Sequence, residues 1–442
     1  MTGKPPPVAG RTPMPWGMVF LCMGGGIVER LAWLHVTGGI LAERQVGEAA
    51  RVARSIGSDA GFADAFFDGQ GPTAHLLPLP PLFAGGMFTL LGVDAPPATL
   101  VLTAWSLAQS LGSFLLLALL WQRLGASRTT LVATMAVLTL CPVFAAQDAL
   151  DFRYWEGGLA ACLGASNLLL LERAWRRPPS ARGLLGIAGL SALTFFVSPP
   201  VGLAVDACWA IFALQTLPIR HIAAFAASAA AALALLILPW ALRNQAQLGA
   251  PVLRSNLGLE IALANHPGAL AEEDPEERFE RRLGAIHPYH GAAPAFRAAG
   301  GEIAYAAALG RDTRRWITAH PVDFAQLCLR HLREYFFPHP WQWNYSDWSR
   351  LQEPRAWITG VINALGLLGL AIRIVQRRRV HAMLALYVAL VAAPYVIVQP
   401  IPRYTYLVYP LLAFAAFDLL AQVIRRVRDG PDRRDAASPY VP

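Results

Sequence analysis

The stretch His75-Leu-Leu-Pro78-Leu-Pro80-Pro81-Leu-Phe-Ala-Gly85-Gly86-Met-Phe-Thr-Leu-Leu-Gly92 decides how this chain is laid out. It is apolar enough to enter a bilayer, yet three prolines and a glycine pair interrupt it. A proline inside a helix removes a backbone hydrogen bond and crowds the preceding turn. Whether this stretch crosses the membrane or returns to the side it left sets the sidedness of everything after it.

Around it lie ten apolar runs, at about 15–37, 97–121, 129–146, 155–172, 183–198, 201–218, 221–241, 356–375, 380–398 and 404–424. A helix of about 20 such residues spans the roughly 30 Å hydrocarbon core. Composition agrees: of 442 residues 55% are hydrophobic and 15% charged, with mean hydropathy +0.40, whereas soluble domains carry about 25% charged residues. A soluble enzyme, a disordered chain and a disulfide scaffold are excluded. The fold class is an all-α polytopic membrane protein of about ten transmembrane helices with a re-entrant or interfacial segment. The first run reads as a retained span, because the apolar pattern resumes after Glu29-Arg30 and no small-residue cleavage site stands out.

The arginines settle the parity. With a cytoplasmic N-terminus, the inner connections hold Arg123–Arg128, Arg173-Arg176-Arg177, Arg377-Arg378-Arg379 and Arg425-Arg426-Arg428. The outer connections Gln147–Arg153, Ser198–Pro200 and Gln399–Arg403 are poor in basic residues, as the positive-inside rule requires. This holds only if His75–Gly92 returns to its own side, and irregular backbone at that depth needs protein or a wet cavity beside it. Two segments then lie outside, about 37–96 and 242–355. The second is the one long polar stretch and contains six of the ten histidines. The organisation is a transmembrane module over 1–241 with the outer segment 37–96, a periplasmic domain over 242–355, and C-terminal helices with a cytoplasmic tail over 356–442. The net charge of +8 does not mark a nucleic-acid partner: Lys4 is the single lysine, and many of the arginines cap apolar runs. Of the five cysteines, four sit in apolar runs and none forms a CxxC pair, so they read as small hydrophobes.

Chemistry-bearing residues cluster at the outer helix mouths. Leu41–Gly57 patterns as an amphipathic surface helix. Its Glu43 and Glu48 stand about 140° apart around the axis, so at most one serves a given site. Gly69–His75 reads as a loop closing over something. Gln147–Glu156 joins the third and fourth spans with Asp148, Asp151, Arg153 and Glu156. Asp148 reads as a loop carboxylate in water, and Glu156, just inside a span, as an acid facing a cavity. Arg403, beside Tyr404, is a guanidinium on the side that avoids basic residues, placed where a lipid phosphate could dock. Asp206 and Glu29-Arg30 lie at depth. Adjacent helix positions do not face one another, so Glu29 and Arg30 are expected to need separate partners. The large outer block opens with Pro239-Trp240…Arg243-Asn244, then Arg254-Ser255-Asn256…Glu260 and Asn265-His266-Pro267. No spacing there matches a zinc site and HExxH is absent, so no metal ligand is assigned. Tyr335, Phe337, Trp341, Trp343, Tyr345 and Trp348 read as an interfacial aromatic belt. Asn344-Tyr-Ser346 fits a glycosylation triplet.

The order of these parts resembles the GT-C superfamily of membrane glycosyltransferases, especially the bacterial branch akin to protein O-mannosyltransferases and the aminoarabinose transferase. Shorter motifs, Gly47-Glu48…Ala53-Arg54-Ser55, Gly71-Pro72-Thr73-Ala74, Pro239-Trp240…Arg243-Asn244, Arg254-Ser255-Asn256 and Gly301-Glu302, look like a bacterial subgroup of glycosyltransferase-like proteins. The likeness covers nearly the whole chain. Many relatives carry an Asp-Glu pair after the first helix, where this chain has Ala42-Glu43. The resemblance implies a multi-pass protein of the bacterial inner membrane with a site facing the periplasm. The donor would be a polyprenyl-phosphate-linked sugar and the acceptor a glycan, lipid or protein, with membrane lipids as surroundings and room for a divalent cation. Glu48 or Glu43 would be the base, and Glu156 or Asp151 would orient. Arg403 with Arg243 or Arg254 would hold phosphate, and His75, Asn256, Glu260 and Tyr404 would contact substrate. The rival readings are a lipid-linked substrate transporter or flippase using Glu29, Arg30 and Asp206, and a silent scaffold of a polysaccharide-export complex.

Overall fold

The computed structural model describes residues 13–37, 47–343 and 351–429. Glu43, Asn344-Tyr-Ser346, Tyr345 and Trp348 lie outside the described residues. Among those described the chain is helical, without a strand. The N-terminal part runs α1 (Trp16–Val36), α2 (Gly47–Gly57), α3 (Leu79–Leu91), α4 (Pro96–Arg123), α5 (Arg128–Leu140), α6 (Ala145–Ala149), α7 (Gly157–Arg176), α8 (Ala181–Val197), α9 (Pro199–Thr216) and α10 (Ile219–Leu248). Shorter helices follow: α11 (Leu257–Ala264), α12 (Pro275–Ile286), α13 (Ala293–Ala298), α14 (Glu302–Ala319) and α15 (Pro321–Phe336). The chain closes with α16 (Gln352–Val375), α17 (Arg379–Ala392), α18 (Pro402–Thr405) and α19 (Tyr409–Asp429).

Five of these, α1, α4, α10, α16 and α17 with its extension to Val396, are long and apolar enough to cross a membrane; a sixth counts if the bent pair α5–α6 is one span. α7, α8, α9 and α19 coincide with apolar runs but are shorter or more polar, so the figure of ten remains the sequence expectation. The expected boundary at 241/242 falls inside α10, which continues through Pro239 to Leu248. It ends where Gly249 turns left-handed, at φ 73°, a common helix stop.

The deciding stretch resolves into α3, whose 13 residues are too few to cross. Its prolines start the helix rather than break it. Pro80 and Pro81 lie in the first turn, where the missing N–H is not needed. α3 packs on α2 at close range: a Cβ on Gly85 would lie 2.5 Å from the Ile56 Cβ, and one on Gly57 2.6 Å from the Phe88 Cβ. Alanine at either position would force the two helices apart.

α5 and α6 meet at a 75° bend. A break of this kind strands the last carbonyls of the first helix. Arg30 of α1 supplies the missing donors, to Leu138 O at 3.0 Å and Thr139 O at 2.5 Å. The same guanidinium holds the Asp148 carboxylate at 2.6 and 3.0 Å. Asp148 is thus fully buried and paired, not a loop carboxylate in water. Arg30 also pairs with Glu29 at 3.0 Å, contrary to the expectation of separate partners, because its guanidinium has donors enough to reach both this carboxylate and Asp148. Two large apolar clusters and a smaller one around Trp33 and Leu107 complete the fold. One large cluster gathers α1, α4, α5, α7, α9, α16, α17 and α19; the other joins α2, α3, the loop around Phe62–Leu76 and α11–α14.

Candidate functional site

Asp151 sits where the chain passes from one cluster to the other: Phe152, next to it, belongs to the first and Trp155 to the second. The 3-10 turn that carries it follows α6, whose Asp148 carbonyl accepts from Ser106 Oγ at 2.6 Å. Beside it opens a cavity of about 310 Å³. Its walls include Glu48, His75, Asp151, Trp155, Arg254, Glu260, His287, His290, Trp343, Arg403 and Tyr404. A smaller recess shares Trp155, Arg254, Arg403 and Tyr404 and adds Glu156. Residues from seven separate stretches of the chain therefore face one space.

Each side chain is placed by its own element. Glu48 stands in the first turn of α2, where the positive helix end favours a carboxylate. Next to it along α2, Ala49, Ala50, Val52 and Ala53 are buried and anchor the helix. Arg403 opens α18, and its guanidinium carbon lies 4.0 Å from the centre of the Trp155 ring and 5.5 Å from that of Tyr404. Tyr404 stacks on Tyr395 at 4.3 Å, and Tyr395 on Tyr335 at 5.6 Å. Hydrogen bonds from Tyr335 to Tyr404 O and from Thr405 to Tyr335 O lock that column. Trp343 and Tyr335 are buried in the core rather than displayed at an interface, and Trp343 faces the cavity. Burial raises the Asp151 carboxyl to about 6, with the Arg403 charge pulling the other way. Burial also holds His75 well below the usual imidazole range, helped by Arg254, His287 and Arg403.

Arg254 links several of these groups. It donates to the His75 carbonyl at 2.7 Å and lies 3.6 Å from Glu156. Asn256 donates to Glu260 at 3.1 Å. Arg243 is placed elsewhere. Its guanidinium donates to Thr73 O and Phe62 O at 2.6 Å each and packs over the Phe62 and Trp240 rings. It fastens the loop instead of lining the cavity, since arginine's fork suits paired carbonyls as well as phosphate. Asp206 is bonded by Ser191 and does not line this cavity.

Glu302 has no role in the sequence reading beyond its motif. It is buried and accepts four hydrogen bonds, from Gln70 at 3.0 Å, Thr73 at 2.5 Å, Ala74 N at 2.8 Å and Ser255 at 2.5 Å. It thereby fixes the loops that carry His75 and Arg254. Glu302→Ala would strand those donors, and we expect a loss of about 3 kcal/mol, read as a lower thermal unfolding midpoint of the detergent-purified protein.

Three residues could hold a metal. Donor atoms of Glu48, His75 and His287 all lie within 4.8 Å of one another. Spacing could not reveal them, because the three come from distant parts of the sequence.

No protein-family model and no curated protein matches the chain. Among solved structures it is similar to the Archaeoglobus fulgidus oligosaccharyltransferase AglB in complex with an inhibitory peptide and a dolichol-phosphate, at 14% identity and TM-score 0.50, over 97% of this chain and 52% of that one. The apo form of the A. fulgidus oligosaccharyltransferase matches at 15% identity and TM-score 0.54 with the same coverage. A complex with Zn and sulfate matches at 14% and 0.50, over 93% and 50%. The chain spans about half the length of these neighbours. At such identity the likeness is one of fold alone.

Proposed function

We propose that this protein moves a sugar from a polyprenyl-phosphate carrier to a glycan, lipid or protein acceptor on the periplasmic face of a bacterial inner membrane, inverting the sugar carbon. The observation that carries the reading is the cavity that gathers Glu48, Asp151, Arg254 and Arg403. It opens near the start of α7, while the arginines Arg173 and Arg176 lie in the last turn of that helix. By the positive-inside rule this arrangement supports an outward-facing cavity. The dolichol-phosphate and peptide of the AglB complex support a lipid-linked donor and admit a protein acceptor.

In this mechanism the Glu48 carboxylate takes the proton from the acceptor hydroxyl or amine. The acceptor atom forms its bond to the sugar carbon from one face as the carbon–oxygen bond to phosphate breaks on the other. The carrier phosphate leaves with the bond's electron pair and is held by Arg403 and Arg254. Glu156, paired with Arg254, orients that guanidinium. Tyr404, His75, Asn256 and Glu260 shape the acceptor side. Glu43 remains the alternative base. The carrier reading centred on Asp206 finds no support in the position of this cavity.

Deleting the gene and comparing envelope glycans, glycolipids and polyprenyl carriers by mass spectrometry tests the assignment. One sugar modification is expected to disappear and its loaded carrier to accumulate; an unchanged envelope would reject sugar transfer. A second result concerns pH. Asp151 loses its charge as pH falls through about 6, so transfer that needs the carboxylate beside Arg403 declines on that acid limb. Asp151→Asn should abolish or displace the limb in a pH–rate profile.

A further inference from the structure

Glu48 and His287 approach at 3.3 Å, carboxylate oxygen to imidazole Nε2, and His75 closes the third side of the group. We propose that these three residues form a binding site for a single divalent transition-metal ion of the zinc or cobalt kind. A tetrahedral zinc ion with bonds of about 2.0–2.2 Å holds its donor atoms roughly 3.3–3.5 Å apart. All three donors already lie within 4.8 Å of one another, only a little wider than a bound ion would hold them.

The surroundings are those of a built site. Both imidazoles are buried, and the Glu48 side chain is 13% exposed. The Phe66 ring meets each imidazole edge to face, at 4.6 Å for His75 and 5.4 Å for His287. The His75 backbone is clamped at both ends, by Thr73 at its N–H and Arg254 at its carbonyl. A second, independent sign is that His287 Nδ1 is buried with no hydrogen-bond partner among the described residues. A buried polar nitrogen left unmatched is costly, and a ring that also turns to bind a cation gives that nitrogen a use.

The donor set chooses the ion. Two imidazoles with one carboxylate favour zinc, cobalt or nickel, whereas magnesium and calcium prefer oxygen alone. Three protein ligands leave a fourth position, and all three line the cavity, so that position faces the space where an acceptor would sit. Arg254 and Arg403 share the cavity and oppose a dication. Glu48, Asp151 and Glu260 on the same walls offset them.

The ligand geometry stands apart from the chemistry; only the ion's effect on transfer rests on the proposed function. The test is therefore direct binding. Tag-free full-length protein in detergent is stripped with chelator, dialysed and titrated with Co²⁺ and Zn²⁺ in the presence of excess Mg²⁺. Bound metal is counted by mass spectrometry, and Co²⁺ coordination is read from its visible absorption. We expect one ion per chain and at least a ~10-fold weaker affinity in His75→Asn and in His287→Asn. Variants whose thermal unfolding matches the parent are the ones compared, and Glu48→Gln serves as a third. Absence of stoichiometric binding, or equal binding in all variants, would overturn the site and leave Glu48–His287 as a hydrogen-bonded pair. Either result is independent of whether the envelope sugar changes in the deletion strain.

Discussion

Arg403→Ala is expected to abolish the envelope sugar modification when it replaces the parent protein in the deletion strain. With Arg254, the guanidinium is one of two cations lining both the cavity and its side recess, and its carbon lies 4.0 Å from the Trp155 ring centre. Removing one donor that stabilises developing negative charge lowers turnover by about 10²–10³. Arg403→Lys should recover only a small part, because an ammonium keeps the charge but loses the planar stack and the two-point grip on phosphate. Mass spectrometry of the carriers reads the result: the loaded polyprenyl phosphate accumulates in Arg403→Ala as in the deletion. Parent-level modification with Arg403→Ala would remove the phosphate role.

Glu48→Gln is expected to do comparable damage for a different reason. Glutamine keeps the shape of the side chain but cannot accept the acceptor's proton, and losing a positioned base lowers rates by about 10²–10⁴. The α2 helix should survive, because its close packing against α3 uses Ile56 and Gly57 at the other end of the helix. Counting bound metal in the same preparation separates the two ways in which this carboxylate could matter. Unaltered transfer by Glu48→Gln would return the base role to Glu43.

The chemistry was more readable in the chain than its supports. Glu48, Asp151, Glu156, Arg254 and Arg403 are charged groups at helix mouths in an otherwise apolar chain, where charge is expensive and so conspicuous. Their meeting in one space depends on tertiary packing that no local pattern encodes. Arg243 shows the converse. Next to Trp240 and Asn244 it reads like a phosphate ligand, yet it is taken up by two loop carbonyls. Trp343 reads like an interfacial ring because its aromatic neighbours suggest a belt, but it is one of the most deeply buried side chains. The three prolines around α3 were read as interruptions, although the first turn of a helix is the one place that accepts them. His287, followed by Pro288, reads as part of a turn, because a ligand motif is recognised by short spacing and its partners lie 212 and 239 residues away in sequence. Helices with charged ends, such as α7 and α19, blur the count of crossings for a related reason. Hydropathy registers what lipid would see, and these helices place much of their surface against protein.

The Arg30–Asp148 pair carries a consequence for biogenesis. The two residues are 118 positions apart, so a ribosome delivers the guanidinium to the insertion machinery long before its main counter-charge has been synthesised. A lone arginine in lipid is disfavoured by about 2.5–3.5 kcal/mol at the bilayer centre. Glu29, translated immediately before it and in contact in the finished fold, is the counter-ion on hand during that interval. The first helix thus enters with a provisional partner, and its final seating waits until the bend after α5 emerges to claim the free donors.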